Sequence, residues 1–420
     1  MLDIKLIREQ PEAVQKAAKD KNIEVDIAHI LEIDKKHREL SQSVQRLRQE
    51  RNEFTRSLKG KPALEQIEKG KELKTRLEKE EHALTAVFEE LNNELFKIPN
   101  PAKNDVKVGK DDSENKVLKE RQYKEPTKFD FIPKDHLALG ELLDIIDVKT
   151  AAKVSGARFA YLKNEGVVLE LALVQFALEI LTKERFTPVI PPVLIKTEVM
   201  KGLGYMENGG GEDMFILSKD NLVLVGTAEH ALVPMHKDEV FSKKDLPERY
   251  VGFSSAFRRE AGSYGKDTRG ILRVHQFDKV EMVSFVKAGD DDKEHEYLLS
   301  LEEKLFQMLE IPYQVVKMCT GDLGFPAARK YDIEAWIPSQ NKYREVTSVS
   351  TVTDFQSRRL NIKYQDASGE RKFVNILNGT AFAIGRTIIA ILENYQQKDG
   401  SILIPKVLQK YIGKTVLSPR

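Results

Sequence analysis

Cysteine is nearly missing from this chain: 420 residues contain one, Cys319. No internal disulfide can form, which fits a reducing, cytoplasmic setting. With one cysteine and eight scattered histidines, no zinc site is expected. No run of about 18 apolar residues occurs, so no membrane span is expected. The opening stretch, MLDIKLIREQPEAV, lacks the apolar core of a signal peptide and turns acidic early. Net charge is also small. Charged residues make up 32% of the chain, yet the formal sum is +1. Any nucleic-acid surface must therefore be a local patch. The length suits two or three domains with a sizeable core.

Residues 1–25 read as a short helix and connection, with Pro11 at a helix start. A long polar, proline-free stretch then runs to Leu58. Its seam is Ile33, His37, Leu40, Val44, Leu47, Arg51, Phe54 and Leu58, in steps of four and three. Lys59-Gly60-Lys61-Pro62 breaks it. A second stretch carries Leu73, Leu77, Leu84, Val87, Leu91 and Ile98, and ends at Pro99-Asn100-Pro101. Two such helices joined by a tight turn predict an antiparallel arm over about 27–98, roughly 50 Å long at about 1.5 Å per residue. Heptads usually mean oligomerisation. The charge layout favours another use. Residues 46–79 hold eleven Lys/Arg against six Asp/Glu, whereas residues 80–98 hold one against five. A basic distal half on an acidic root suits reaching a polyanion. Arg46, Arg48, Arg51, Arg56, Lys59 and Lys61 are the candidate phosphate contacts. Residues 99–130, polar and mixed in charge, read as a linker.

Residues 257–286 read FRREAGSYGKDTRGILRVHQFDKVEMVSFV. This predicts two strands joined by a loop. Phe257 to Glu260 ends the first strand, and Ala261 to Gly270 is the loop, with Gly262, Gly265 and Gly270 as turn residues. From Arg273, alternation places Arg273, His275, Phe277, Lys279 and Glu281 on one face, and Val274, Val280 and Met282 on the other. Arg258 and Glu260, two apart, share a face as well. One hairpin then shows two arginines, a ring and two carboxylates to a single cleft. An arginine fork suits phosphate or carboxylate, a ring suits a flat base, and a carboxylate suits an ammonium. A solvated hairpin with cross-strand ion pairs would carry the same charges. Phe277, set among charged residues on one face, counts against that.

Other segments add groups of the same kind. Leu222 to Glu229 runs from a strand into GTAE, where Thr227 and Glu229 can hydrogen-bond a small polar ligand; helix capping by Thr227 is the structural alternative. Glu345 and Ser348 are oxygen donors of the kind magnesium takes when it also holds phosphate. Gly385 lets a backbone approach closely, and Arg386, at a helix start, can reach a nucleotide or an interior salt bridge. Glu207-Asn-Gly-Gly-Gly-Glu-Asp reads as a plain surface loop, with an active-site flap as its alternative.

FRREAGSYGKDTRGILRVHQFDKVE resembles motif 2 of the class II aminoacyl-tRNA synthetases, in the form found in seryl-tRNA synthetases. The match is gap-free. Phe186-Thr-Pro-Val-Ile-Pro-Pro-Val-Leu resembles motif 1, and Asn375 to Gln396 resembles motif 3. Glu345-Val-Thr-Ser departs mildly from the family's E-x-S-S, since Thr347 keeps a hydroxyl. The glycine-rich loop at Gly209–Gly211 departs from the family, so no role is carried over to it.

The resemblance implies an α+β chain. An N-terminal tRNA-binding domain, 1–110, would carry the two-helix coiled-coil arm. A class II catalytic domain, 111–420, would hold a mainly antiparallel sheet flanked by helices. It implies ATP and Mg²⁺, L-serine, tRNA(Ser), in many members also tRNA(Sec), and a homodimer built through motif 1. Carried over by position, the catalytic set is Arg258, Arg386 and Glu345. Arg258 would hold the α-phosphate and the amino-acid carboxylate. Glu260 would take the adenine amino group, and Phe277 and Arg386 would sandwich the ring. Arg273 would reach the γ-phosphate. Arg259, Val274, Val346, Thr347 and Ser348 would complete the ATP site, with Glu345 and Ser348 on Mg²⁺. Thr227, Ala228, Glu229, Arg258, Glu281, Asn378 and Thr380 would bind serine. Two rival readings are a ligase that loads a carrier protein, which would lack the arm, and a non-catalytic tRNA-binding protein, which would not need Arg258, Glu260, Glu345 and Arg386.

Overall fold

The computed structural model describes residues 1–58, 60, 62–261 and 269–419. Lys59, Lys61, Gly262 and Gly265 lie outside the described residues. The chain forms two compact units, Met1–Pro99 and Asn100–Arg420.

The first unit holds helices α1 (Ile4–Glu9), α2 (Pro11–Asp20), α3 (Ile27–Ser57) and α4 (Leu64–Phe96). Pro11 opens α2, where its missing N–H is no loss. Asp26 caps α3 by accepting from the His29 backbone at 2.9 Å. The Arg8 guanidinium grips buried Asp34 of α3 at 2.6 and 2.7 Å. The long helices run antiparallel. Arg48 meets Glu81 at 2.8 Å, and the rings of His37 and Phe88 are 5.6 Å apart. Val44, Leu47 and Leu77 are buried in their seam, with Leu84 against them. Toward the turn the seam opens. Arg51 is exposed, and a gap of about 430 Å³ lies among Phe54, Leu58, Ile67 and Leu77. Gly70 offers no side chain to fill it. Heptad spacing alone therefore overstates the packing at Arg51.

The second unit is built on an eight-stranded sheet. Its strands are β1 (Lys116–Tyr123), β2 (Thr187–Val189), β3 (Glu248–Phe257), β4 (Gln276–Val286), β5 (Tyr313–Lys317), β6 (Arg329–Ile337), β7 (Lys342–Thr353) and β8 (Asn375–Ala383). The order is β1-β5-β6-β7-β8-β4-β3-β2. All pairs are antiparallel except β2 with β3. Pro188 lies on the edge strand β2, where a missing N–H does no harm. The opposite edge, β1, falls in the stretch expected to be a linker. An edge strand facing solvent is polar, and its composition looks like a loop's.

Alternation decides which strand face is core. Val280 and Met282 of β4 pack with helices α5 (Glu165–Lys183), α6 (Asp291–Met308) and α7 (Ile384–Tyr395). Phe382 sits between Phe176 of α5 and Phe306 of α6, with centroids 6.1 and 5.7 Å away. Val283 and Phe285 face a second cluster with Met200, Leu203 and Leu232. Two details differ from the sequence reading. The first hairpin strand stops at Phe257, and Glu260 has φ +54°, so the two-residue period that put Arg258 and Glu260 on one face does not apply there. The second strand begins at Gln276 rather than Arg273.

Replacing Phe382, fully buried at this three-ring contact, by alanine is expected to cost about 3–5 kcal/mol in urea unfolding, and a loss below about 1 kcal/mol would contradict the packing described.

Candidate active site

Strands β3 and β4 pair from Phe257 opposite Gln276, with Phe277 opposite Ala256. Their connection therefore opens at one end of the sheet, on the face away from Val280 and Met282. A cavity of about 690 Å³ lies there. It gathers Arg258, Glu260, Arg273, Val274, Phe277 and Glu281 from the hairpin. Thr227 and Glu229 come from the turn after Leu222–Leu224, Glu345 to Ser348 from β7, Asn378 and Thr380 from β8, and Arg386 from α7. Two expected residues do not line it. Ala228 is buried beneath Gly252, whose Cβ would come within 3.0 Å of it. The Arg259 guanidinium lies 5.4 Å from the Phe215 ring instead.

One end of the cavity is rich in guanidinium. Arg386 donates to Glu345 Oε1 at 3.0 Å and to the Glu345 carbonyl at 3.2 Å. Arg273 is ion-paired with Glu260. Arg258 forms no ion pair among the described residues; its Nε donates to the Gly226 carbonyl at 3.2 Å, and its plane sits 5.5 Å from the Phe277 centroid. Desolvation opposes ionisation of Glu345, but Arg386, Lys330 and Arg258 outweigh it and bring its pKa to about 2. Asp332 lies opposite Ser348 on the neighbouring strand. Burial, with Glu345 and Asp322 nearby, lifts it to about 8 against the pull of Lys330, and its Oδ1 makes no hydrogen bond. The backbone comes close at Gly385, where a Cβ would meet the Ile271 carbonyl at 3.2 Å.

Glu345 and Ser348 are hard oxygen donors, with an underbonded carboxyl beside them. No group of three or more His, Cys, Asp or Glu is arranged as a metal cage among the described residues. That donor set fits Mg²⁺, which keeps most of its shell for water and phosphate. Thr347 turns the other way and donates to buried Glu302 of α6 at 2.8 Å.

The other end is acidic. Glu229 is buried, accepts from Tyr205 Oη at 3.0 Å and from Gln356 Nε2 at 2.9 Å, and forms no ion pair among the described residues. Burial raises its pKa to about 7, with Glu281 adding to the rise and the two hydrogen bonds opposing it. Glu281 stands in a different setting. It faces Thr380 across the β4–β8 pairing, accepts from its Oγ1 at 3.0 Å, and is ion-paired with Lys279 at 2.6 Å. Thr227 does not cap the following helix; its hydroxyl accepts from Lys279 at 3.2 Å. Gly379 lets α6 come close, since a Cβ there would sit 2.9 Å from Glu302 Oε1.

The segment expected to be a plain surface loop is one wall of the cavity. Glu207, Asn208, Gly210 and Asp213 line it, with Tyr205 just ahead of the segment. Glu207 is ion-paired with Arg359 at 3.0 Å, and Asp213 accepts from the Ala261 backbone at 3.1 Å. Sequence reasoning assigned no role to Tyr205, Gln356, Lys330 or Lys279. For Lys279 a signal existed, because it shares a strand face with Phe277 and Glu281. The other three come from segments that only the folded chain brings together.

Comparison with known proteins agrees with this geometry. Residues 1–102 match the family model of the seryl-tRNA synthetase N-terminal domain. Residues 215–395 match that of the tRNA synthetase class II core domain (G, H, P, S and T). The serine–tRNA ligase of Dictyoglomus thermophilum is 45% identical and aligned over 100% of both chains. That of Thermobifida fusca is 44% identical over 100% of this chain and 99% of its own. The crystal structure of Pyrococcus horikoshii seryl-tRNA synthetase complexed with ATP superposes with a TM-score of 0.92 at 41% identity, covering all of both chains. That of the cytoplasmic Naegleria fowleri enzyme complexed with AMP gives 0.88 at 28%, covering 100% of this chain and 99% of the other. The chain belongs to the seryl-tRNA synthetase family.

Proposed function

We propose that the protein joins L-serine to ATP as seryl-adenylate, releasing pyrophosphate, and then passes the seryl group to the 3′ end of tRNA(Ser). One observation carries the reading. Among the described residues, a single cavity has one arginine, Arg258, without an ion pair and one buried carboxylate, Glu229, without one. A nucleoside triphosphate and an α-amino acid supply the two missing counter-charges.

Arg258 takes the α-phosphate and the serine carboxylate between the two ends. To do so it leaves the Phe277 ring, which then receives adenine, with Arg386 on the other face and Glu260 at the exocyclic amine. Arg273 reaches the γ-phosphate. Arg259, Val274, Val346 and Thr347 border the nucleotide from outside. Glu345 and Ser348 hold Mg²⁺, which neutralises phosphate charge when bound. Glu229 takes the ammonium, with Ala228 shaping its turn, while Glu281, Thr380, Asn378 and Thr227 surround the hydroxyl. The serine carboxylate attacks the α-phosphorus in line and expels pyrophosphate; a ribose hydroxyl of tRNA then attacks the activated carbonyl, loses its proton and expels AMP. No side chain is modified. The protein contributes positioning and charge stabilisation.

The arm is the tRNA element, through exposed Arg46, Arg48, Arg51 and Arg56 together with Lys59 and Lys61. tRNA(Sec), which the family commonly serves too, is a second candidate acceptor, open to the same charging assay. Exposed Val167, Val168 and Leu171 on α5 and Ile190 beside edge strand β2 support a homodimer. No helix among the described residues is long and apolar enough to cross a membrane.

Arg258→Ala should abolish serine-dependent ATP–pyrophosphate exchange while far-UV circular dichroism stays native; normal exchange would refute the role of Arg258. Deleting residues 35–90 should leave exchange intact and eliminate tRNA charging. Loss of both would mean that the arm is needed for folding. Glu229→Gln should exchange function for stability. Glu229 shifts from 4.5 to about 7 on folding, so between those pH values the folded state binds more protons and stability falls as pH rises. Removing the charge should stabilise the ligand-free protein at pH 8 by about 3 kcal/mol in thermal melts, with serine affinity lost. A variant that still binds serine normally would remove Glu229 from the ammonium site.

A further inference from the structure

One buried cation in the cavity is unused by this chemistry. The Lys279 side chain is 9% exposed, and its Nζ lies 2.6 Å from Glu281 Oε2 and 3.2 Å from Thr227 Oγ1. It ties a strand to the turn that precedes the Glu229 helix. An ammonium only donates, so the direction of both contacts is settled. The Thr227 oxygen accepts, which leaves its O–H to donate to a ligand. Glu281 Oε2 accepts from Lys279 and from Thr380 Oγ1, which leaves Oε1 to accept from a ligand. Thr380 has spent its proton on Glu281 and offers a lone pair. One lysine thus fixes Thr227 as an acceptor and holds the Glu281 carboxylate, which in turn takes the Thr380 proton.

We infer that Lys279 sets the hydrogen-bond sense of the amino-acid end, so that a side chain donating a proton to Glu281 is preferred over an apolar one of equal size. The inference rests on the proposed function and deepens it. Lys279 is a positioning residue, acting through Glu281 and Thr227. The groups around Glu281 show why it is needed. Glu229 from the turn helix and Glu302 from α6 both interact unfavourably with Glu281, and Tyr205 lies within its field. Among the described residues Lys279 is the ion-pair partner of Glu281, with Arg258 further along the cavity. Without it, Glu229 and Glu281 would share one pocket with no ion-pair partner among the described residues, and Glu281 would no longer be a defined acceptor.

The test compares two non-hydrolysable adenylate analogues, seryl- and alanyl-sulfamoyl-adenosine, by isothermal titration calorimetry. The unaltered protein should prefer the seryl compound. In Lys279→Met the seryl affinity should fall about 100-fold and the alanyl affinity by no more than about fivefold, so the preference collapses. Lys279→Arg, which keeps charge and donors, should recover most of it. Equal losses for both analogues in Lys279→Met would overturn the inference and leave Lys279 a structural tie. Should Lys279→Met fail to melt cooperatively, Lys279→Gln takes its place, and an undiminished seryl preference there overturns it equally. An unaltered protein that binds both analogues alike would sink the proposed function itself.

Discussion

The period of two along β4 is the constraint on which the site depends. Val280 and Met282 must face the helices to close the core, and they are buried completely. Phe277, Lys279 and Glu281 are then committed to the opposite face. Pairing with β8 completes the arrangement, because a register shift beside Val280 sets Glu281 opposite Thr380. A one-residue slip would move the ring, the ammonium and the carboxylate into the helix-packed core together. The core and the site are thus specified by the same strand.

Charge placement divides the labour within the cavity. Arg386 with Glu345, Arg273 with Glu260, and Lys279 with Glu281 are paired, and Lys330 lies 3.4 Å from Asp332. Glu302, behind Thr347, has no ion pair among the described residues, and burial pushes its carboxyl well above its ordinary range. Arg258 and Glu229 are left without an ion pair among the described residues. A buried charge lacking a partner is costly and persists where a ligand brings one. Two carboxylates of one cavity, Glu229 and Glu281, therefore differ in use because one meets hydrogen-bond donors and the other meets an ammonium.

Much of this was legible before folding. Heptads in α3 and α4 specify the antiparallel arm, because residues four and three apart must share a stripe. Period two specified the faces of Phe277, Lys279 and Glu281. Glu260 escaped that rule, since its left-handed backbone belongs to the loop and is invisible to a strand pattern. The edge strand β1 escaped because solvent permits polar residues there. Tyr205 and Gln356 meet Glu229 from 24 and 127 residues away, separations at which no periodicity speaks.

The division between Glu229 and Glu281 also bears on stability. Glu229, Asp332 and Glu302 are all harder to ionise in the folded state, so each opposes folding at neutral pH. A fold that selected for stability alone would replace them with apolar groups. On the proposed function, an ammonium beside Glu229 would favour its ionised form and offset that part of the cost. Stability and serine occupancy would then be coupled through the Glu229 carboxyl. Of the carboxyls that line the cavity, Glu229 is thus the one whose burial is not met by a cation of the chain among the described residues.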